Sequence, residues 1–315
     1  MVDISKLIMM VGLPGSGKST LAEQLSNECN AEIVASDEIR NELFNGVYRQ
    51  QTNWIVFKEM ASRTNRILNL NQNVIYDSTN LDRRGIQLLS QFQQADKKIV
   101  YYLNNPISTI LSRNEMRESA VPPDVIFRMY TKAQIPVRNE GWDQVIFNGQ
   151  PEKYISHLKN DYERWLLADL DYEQLFTQLS TGIAEFADIQ TFPDIAADIY
   201  DGYKQIKTVY HQEDKLLMLW VSLLKDIGVP FCKFFGEATK EAQLIRHENV
   251  SSQLAAVYLD LMGYSDEFIQ KAVTLIQFQA ESMKGQKKIN TVKKLTGDDL
   301  FTKLIILRGT GHNLN

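Results

Sequence analysis

The stretch Gly12-Leu13-Pro14-Gly15-Ser16-Gly17-Lys18-Ser19-Thr20 follows a short apolar run, Leu7–Val11, and precedes a helical pattern carried by Leu21, Ala22 and Leu25. Apolar run, glycine-rich turn and amphipathic helix in that order predict a strand–loop–helix unit whose loop binds phosphate. The glycines let the backbone curl so that successive N–H groups point inward at phosphate oxygens. The helix from Lys18 brings the positive end of its dipole to the same place. Within this loop Lys18 is expected on the β- and γ-phosphates of a nucleoside triphosphate, and the Ser19 hydroxyl on Mg²⁺. Gly12, Pro14, Gly15, Ser16, Gly17 and Thr20 complete the expected nucleotide-binding set.

Outward from the loop, strand and helix patterns alternate to about residue 148. Strands are predicted at Lys6–Val11, Glu32–Ala35, Val74–Tyr76, Lys98–Leu103 and Gln144–Phe147. A helix is predicted over Asn53–Leu70, with Trp54, Phe57, Ala61, Ile67 and Leu68 on one face. Such alternation predicts an α/β fold, a parallel sheet flanked by helices, with the ligand loop at the carboxyl end of its first strand. Near Asn148-Gly149-Gln150-Pro151 the pattern turns wholly helical, for example at Leu216–Leu224, Ser252–Leu261 and Phe268–Phe278. The expected domains are therefore residues 1–150 and an all-α region at 151–315. Lys284–Lys294, rich in Lys, Gly and Asn, reads as a solvated loop.

Composition narrows the classes. The 315 residues carry a net charge of −5, with 16 basic and 16 acidic residues in 1–150 and 18 against 23 in the remainder. The second half is thereby a poor nucleic-acid clamp by bulk electrostatics, while a local basic groove in the first stays open. Two cysteines, Cys29 and Cys232, build neither a disulfide framework nor a metal knuckle, which suggests a reduced, cytoplasmic setting. No stretch has the length and apolarity of a membrane span.

Further clusters fall where a phosphotransferase needs them. Asp37, in Ser36-Asp37-Glu38-Ile39-Arg40, can serve as general base for an acceptor hydroxyl, with Arg40 holding the acceptor; Asp37 as a plain helix cap is the structural alternative. In Tyr76-Asp77-Ser78-Thr79-Asn80, Asp77 can hold Mg²⁺ through water and Thr79 or Asn80 can touch the acceptor, or the stretch is a polar turn. Arg113 and Arg117, four apart, would share one helix face and close over a transferring phosphoryl group. Val121-Pro122-Pro123 reads as a kink that starts the next helix.

Together, GLPGSGKST, SDEIR at 36–40, DSTNLDRR at 77–84 and SRNEMRESAVPPDVIFRMY at 112–130 resemble the kinase domain of bacteriophage-type 5′-hydroxyl polynucleotide kinases, and the wider group of small P-loop kinases. The resemblance spans residues 5–148. It implies ATP as donor, Lys18 and Ser19 on phosphate and Mg²⁺, and Asp37 as general base. It also implies Arg40 on the acceptor's neighbouring phosphate and Arg117, supported by Arg113, on the donor phosphates. The spacing departs at 77–80, where Ser78 separates an Asp and a Thr that are adjacent in the phage enzymes. A 5′-hydroxyl polynucleotide is the implied acceptor. A small metabolite, nucleoside or nucleotide sugar is the alternative, and an ATP-gated binding or scaffold protein is the alternative of another class.

In the second half, Leu223-Leu224-Lys225-Asp226-Ile227-Gly228-Val229-Pro230 resembles the LLHDIGKP signature of HD-type metal phosphohydrolases. Arg246-His247-Glu248-Asn249-Val250-Ser251-Ser252 resembles the element that follows it in that family, and Asp298–Arg308 its tail. Lys225 replaces a metal-binding histidine, and Arg308-Gly309-Thr310-Gly311 stands where a metal aspartate is expected. An ammonium cannot ligate a divalent cation, so the resemblance implies a degenerate HD-like domain without hydrolase chemistry, with Lys225 paired to a neighbouring carboxylate. The four histidines, 157, 211, 247 and 312, form no sequence cluster. The aromatic residues Trp165, Phe176, Phe186, Phe231, Phe234 and Phe235 read as core.

Overall fold

The computed structural model describes residues 4–45, 50–83, 92–117, 119–149, 155–239, 247–280 and 285–309, with 50 and 235–239 described by backbone alone. Several expectations lie outside the described residues: those on Gln150-Pro151, Arg84, the Phe235 side chain, Arg246, Lys284 and the segment from Thr310 through His312. Among the described residues the chain divides into two compact units, Met1–Ile126 with Glu140–Asn148, and Phe127–Asn139 with Gly149–Asn315.

The first unit is a five-stranded parallel sheet flanked by helices. Its strands are β1 (Lys6–Val11), β2 (Ala31–Ala35), β3 (Asn73–Asp77), β4 (Lys97–Tyr102) and β5 (Gln144–Phe147), in the order β2-β3-β1-β4-β5. Helices α1 (Lys18–Cys29), α2 (Ser36–Phe44), α3 (Asn53–Asn69) and α4 (Ile107–Glu115) fall between strands, and α5 (Pro123–Lys132) follows. Central β1 pairs with β3 (Leu7↔Val74) and with β4 (Leu7↔Lys98), so Leu7–Val11 is buried on both faces. Ile8 and Met10 pack with Leu21, Ala22 and Leu25 of α1 and with Ile75 and Ile99. The carboxyl ends of β1, β2 and β3 consequently deliver the phosphate loop, Asp37 and Asp77 to one edge of the sheet.

Helix α3 buries Val56, Met60, Thr64 and Ile67, spaced four, four and three, whereas Trp54 is 64% exposed. Trp54 lies two positions from Val56, about 200° around the helix, and so leaves the expected apolar face.

The second unit is helical: α6 (Lys159–Leu167), α7 (Tyr172–Leu179), α8 (Glu185–Gln190), α9 (Pro193–Val209) and α10 (Lys215–Leu224), then α11 (Val229–Thr239), α12 (His247–Leu261), α13 (Asp266–Phe278) and α14 (Gln286–Gly309). Helix α10 is its hub, buried at every residue from Leu217 to Leu224. The α14 helix overturns the loop expected at Lys284–Lys294. Lysine and glutamine are good helix formers, and Val292 and Thr296 with half-buried Ile289 make a face at three- and four-residue spacing. The helix breaks only at Gly297, where φ is 77°.

Of the aromatic set, Phe176 and Phe186 are core, but Phe234 is 59% exposed. It sits two residues past buried Cys232, on the opposite side of α11.

Residues 127–139 belong to this helical unit, and side-chain amides satisfy their backbone. Ile135 N–H donates to Gln277 Oε1 at 2.7 Å, and Gln277 Nε2 donates back to the Ile135 carbonyl at 3.1 Å. Gln253 holds the Tyr130 carbonyl at 2.8 Å, and Asn249 that of Thr131 at 3.2 Å. Buried backbone groups need such partners, and here glutamine supplies what a neighbouring strand would. No helix of the described residues is long and apolar enough to cross a membrane.

Candidate active site

The loop between β1 and α1 is wound tightly by its own backbone. Ser16 N–H donates to the Leu13 carbonyl at 3.1 Å, and Gly12 N–H to the Thr79 carbonyl at 3.2 Å. Gly15 and Gly17 have φ of 83° and 91°, in the left-handed region where a Cβ is penalised. At Gly15 a Cβ would also stand 2.7 Å from the Ile110 carbonyl of α4. Gly17 caps α1 without any side chain, so the first-turn N–H groups of Lys18, Ser19 and Thr20 have no capping acceptor. An uncapped helix start at the end of a glycine loop is a fit for an anionic phosphate.

Lys18 Nζ donates to the Leu13 carbonyl at 2.9 Å. Burial lowers its pKa to about 8, against the opposing pull of Asp77 and Asp37 and with the help of positive Arg117. An ammonium held at this cost is poised for a negatively charged partner. Ser16 Oγ is fully buried without a hydrogen-bond partner, a further polar atom on the inner wall of the loop.

Asp77 ends β3, is buried, and accepts a hydrogen bond from Ser19 Oγ at 3.0 Å. Burial raises its carboxyl pKa, while Lys18 and the Ser19 hydroxyl pull it down. A hydroxyl and a carboxylate oxygen on adjoining elements suit Mg²⁺, which takes one or two protein oxygens and completes its shell with substrate phosphates and water. The donor set therefore fits the ion.

Asp37 stands in the first turn of α2, where Ala35 is the N-cap and no side chain caps the helix. The capping alternative is thus not the geometry found. Instead the Asp37 carboxylate, 78% exposed, takes an ion pair from Arg40 at 2.6 Å. Its charge is felt at both Lys18 and Asp77.

The arginines are arranged differently from the sequence expectation. Helix α4 ends at Glu115, so Arg113 lies half-buried in its last turn and Arg117 beyond it, exposed. They share no helix face. The Asn114 side chain bonds the Val121 backbone beyond the end of the helix. Asn80 adopts φ 48°, and its amide donates to the carbonyls of Met10 at 2.9 Å and Ser78 at 3.3 Å. Its amide nitrogen therefore holds the end of β1; Thr79 is half-buried beside it. Arg83 forms an ion pair with the buried Glu140.

Two residues went unnoticed in the sequence. Asn105, after β4, is buried and donates to the Ser16 carbonyl at 2.8 Å, which pins the phosphate loop from outside. Asn114 is the other. Asn105 stands in an Asn-Asn pair after a strand and Asn114 within the stretch at 112–130, and neither position signals its partner.

In the helical unit, the buried Asp226 carboxylate pairs with Lys225, as the sequence suggested, and with His247 Nε2 at 3.2 Å. Its pKa is held well below the usual carboxylate range by Lys225 and His247 against the effect of burial. Gly228 N–H donates to Ser251 Oγ at 3.0 Å, and a Cβ at Gly228 would meet the Ser251 nitrogen at 2.7 Å. The motif residues thus join the turn after α10 to the start of α12.

Residues 7–135 match the family model described as an AAA domain. The chain is 29% identical over 150 residues to the L-seryl-tRNA(Sec) kinase of Methanococcus maripaludis, an alignment covering 44% of this chain and 56% of that protein. The chain spans about half the length of that curated relative. Among solved structures it is similar to a gluconokinase from Sinorhizobium meliloti 1021, with a TM-score of 0.34 and 17% identity over 46% of this chain and 82% of that one. The first unit is accordingly similar to that AAA-domain family over residues 7–135 and to a protein named as a kinase.

Proposed function

We propose that the chain is an ATP-dependent phosphotransferase whose acceptor is a hydroxyl borne by a nucleic acid, with a polynucleotide 5′-hydroxyl as first choice. The observation that carries this reading is the convergence of four charges: Asp37, Asp77 and Arg117 all act electrostatically on Lys18. A simple nucleotide-binding module has no use for an exposed carboxylate at that place.

In the proposed reaction, Lys18 and the start of α1 hold the donor phosphates, with Arg117 and Arg113 spreading the charge that develops on transfer. Asp37 accepts the proton of the acceptor hydroxyl as its oxygen bonds to the γ-phosphorus, and the bond from that phosphorus to the bridging oxygen of ADP breaks. Mg²⁺, held by Ser19 and Asp77, neutralises phosphate charge when bound. Arg40, paired to Asp37, would hold the phosphate next to the acceptor hydroxyl.

The match to a relative named L-seryl-tRNA(Sec) kinase supports a second acceptor of the same class, a seryl hydroxyl carried on tRNA. The helical unit we read as HD-like and without hydrolase chemistry, since Lys225 and His247 occupy the Asp226 carboxylate. A cytoplasmic setting is consistent with two free cysteines.

The test is transfer of labelled γ-phosphate from ATP to 5′-hydroxyl RNA and DNA oligonucleotides, to seryl-tRNA, and to a pool of sugars and nucleosides. Label on an oligonucleotide supports the first choice, and label on seryl-tRNA the second. Label on the small-molecule pool alone would reject a nucleic-acid acceptor. ATP binding with no transfer to any of them would return the chain to the class of ATP-gated binding proteins.

A further inference from the structure

Asn114, only 2% exposed, touches three parts of the candidate site at once. Its side chain bonds Val121 in both directions: Nδ2 donates to the Val121 carbonyl at 2.8 Å, and Oδ1 accepts from Val121 N–H at 3.0 Å. Its own carbonyl accepts from Arg117 N–H at 3.1 Å. On the other side it lies against the phosphate loop, where a Cβ on Gly15 would stand 3.3 Å from both the Asn114 Cβ and its nitrogen. The residue thus joins Val121 and Arg117 and lies against the loop that cradles phosphate.

We propose that Asn114 is a positioning residue that sets the reach of Arg117 to the donor phosphates by tying the arginine's backbone to the phosphate loop. The proposal rests on the assignment of Arg117 as a donor-phosphate ligand made above. A side chain that satisfies one N–H and one C=O of a single distant residue fixes both the direction and the distance of the turn, which a hydrophobic residue of equal size would not. The electrostatic effect of Arg117 on Lys18 agrees with an arginine held near the loop before any nucleotide arrives.

A double-mutant cycle on ATP affinity tests this, by titration calorimetry on the full chain, Asn114→Ala, Arg117→Ala and the double variant. Each single change is expected to weaken ATP about tenfold, the size of a lost charge-assisted hydrogen bond. The double variant is expected to be no weaker than Arg117→Ala alone, because both changes remove one function. A purely structural role for Asn114 would make the losses additive and overturn the proposal, as would unchanged affinity in Asn114→Ala. Val121→Pro deletes the N–H of one of the two bonds and leaves the buried asparagine in place, which covers the case in which Asn114→Ala does not fold. It is expected to match Arg117→Ala in ATP affinity, and wild-type affinity in a folded Val121→Pro chain would overturn the proposal. The cycle needs no acceptor, so a chain that binds ATP but transfers to nothing would sink the kinase reading while the cycle still decides on Asn114.

Discussion

The hydroxyl of Ser19, in the first turn of α1, donates to the Asp77 carboxylate at the end of β3 across 3.0 Å, joining residues 58 positions apart. The contact aligns two oxygens that suit one Mg²⁺. It also makes the phosphate loop and the neighbouring strand end a single mechanical piece. Asp77→Ala is expected to weaken Mg²⁺-dependent ATP binding by roughly 10–100-fold. Metal-free ATP binding should change far less. Titration of nucleotide with and without Mg²⁺ measures both, and an equal loss in the two would remove Asp77 from the metal site.

Lys18 offers a pH signature. Its pKa, lowered by burial from 10.5 to about 8, is raised again when a phosphate replaces the lost water. Nucleotide binding at pH near 8 should therefore take up protons, and affinity should fall as pH rises above about 8. In the unliganded chain the sign is opposite for stability. Between about 8 and 10.5 the unfolded state binds more protons at this site, so the Lys18 contribution to stability increases with pH. Calorimetry in two buffers of different ionisation enthalpy reads the proton uptake directly; proton release on binding would contradict the assignment.

Asp37→Asn separates base from scaffold. If Asp37 accepts the acceptor proton, turnover should drop by about 10²–10⁴-fold with ATP affinity within a factor of a few. Steady-state kinetics on whichever acceptor is labelled, beside ATP titration, makes the comparison. Turnover that survives the change would move the base elsewhere.

Gly15→Ala should damage the loop twice. The left-handed φ of 83° and the approach to the Ile110 carbonyl at 2.7 Å together cost roughly 2–4 kcal/mol. Urea unfolding gives the number, and nucleotide binding should be lost along with it. A stable variant with intact binding would mean that the loop and α4 part easily.

Gln277→Leu tests the amide clamp of the helical unit. The change leaves the N–H and C=O of Ile135 buried without partners and is expected to cost roughly 2–5 kcal/mol. Gln286→Leu, on the exposed start of α14, should stay within about 0.5 kcal/mol in the same denaturant series.

Much of the sheet was legible because each strand carries a short apolar stretch, and β1 through β5 fall within a residue of the expected ends. That the loop, Lys18, Ser19, Asp37 and Asp77 stand at or just after strand ends was legible because that placement follows from local sequence. What escaped depends on partners far away in sequence or on a single polar atom. Asn105 meets Ser16 across 89 positions, and Gln277 meets Ile135 across 142. Nothing near residues 127–139 hints that their backbone is to be satisfied by α12 and α13. The Arg113–Arg117 pair failed as a helical face because the helix ends at Glu115, between them, and a four-residue spacing does not show where a helix stops. The lysine-rich start of α14 was passed over because polarity is a weak guide where helix propensity is high.

That same clamp sets an order of synthesis. Chains grow at about 5–20 residues per second, so Gln277 is made roughly 7–28 s after Ile135. When that interval begins β1 through β4 are already made and β5 follows directly, while the Ile135 N–H and C=O have only water as partners. Nascent chains interrupted before α13 should consequently carry Ile135 without its partner, a form that proteases and chaperones would meet first at that segment. Helices α12 and α13 thereby complete a segment laid down near the middle of the chain.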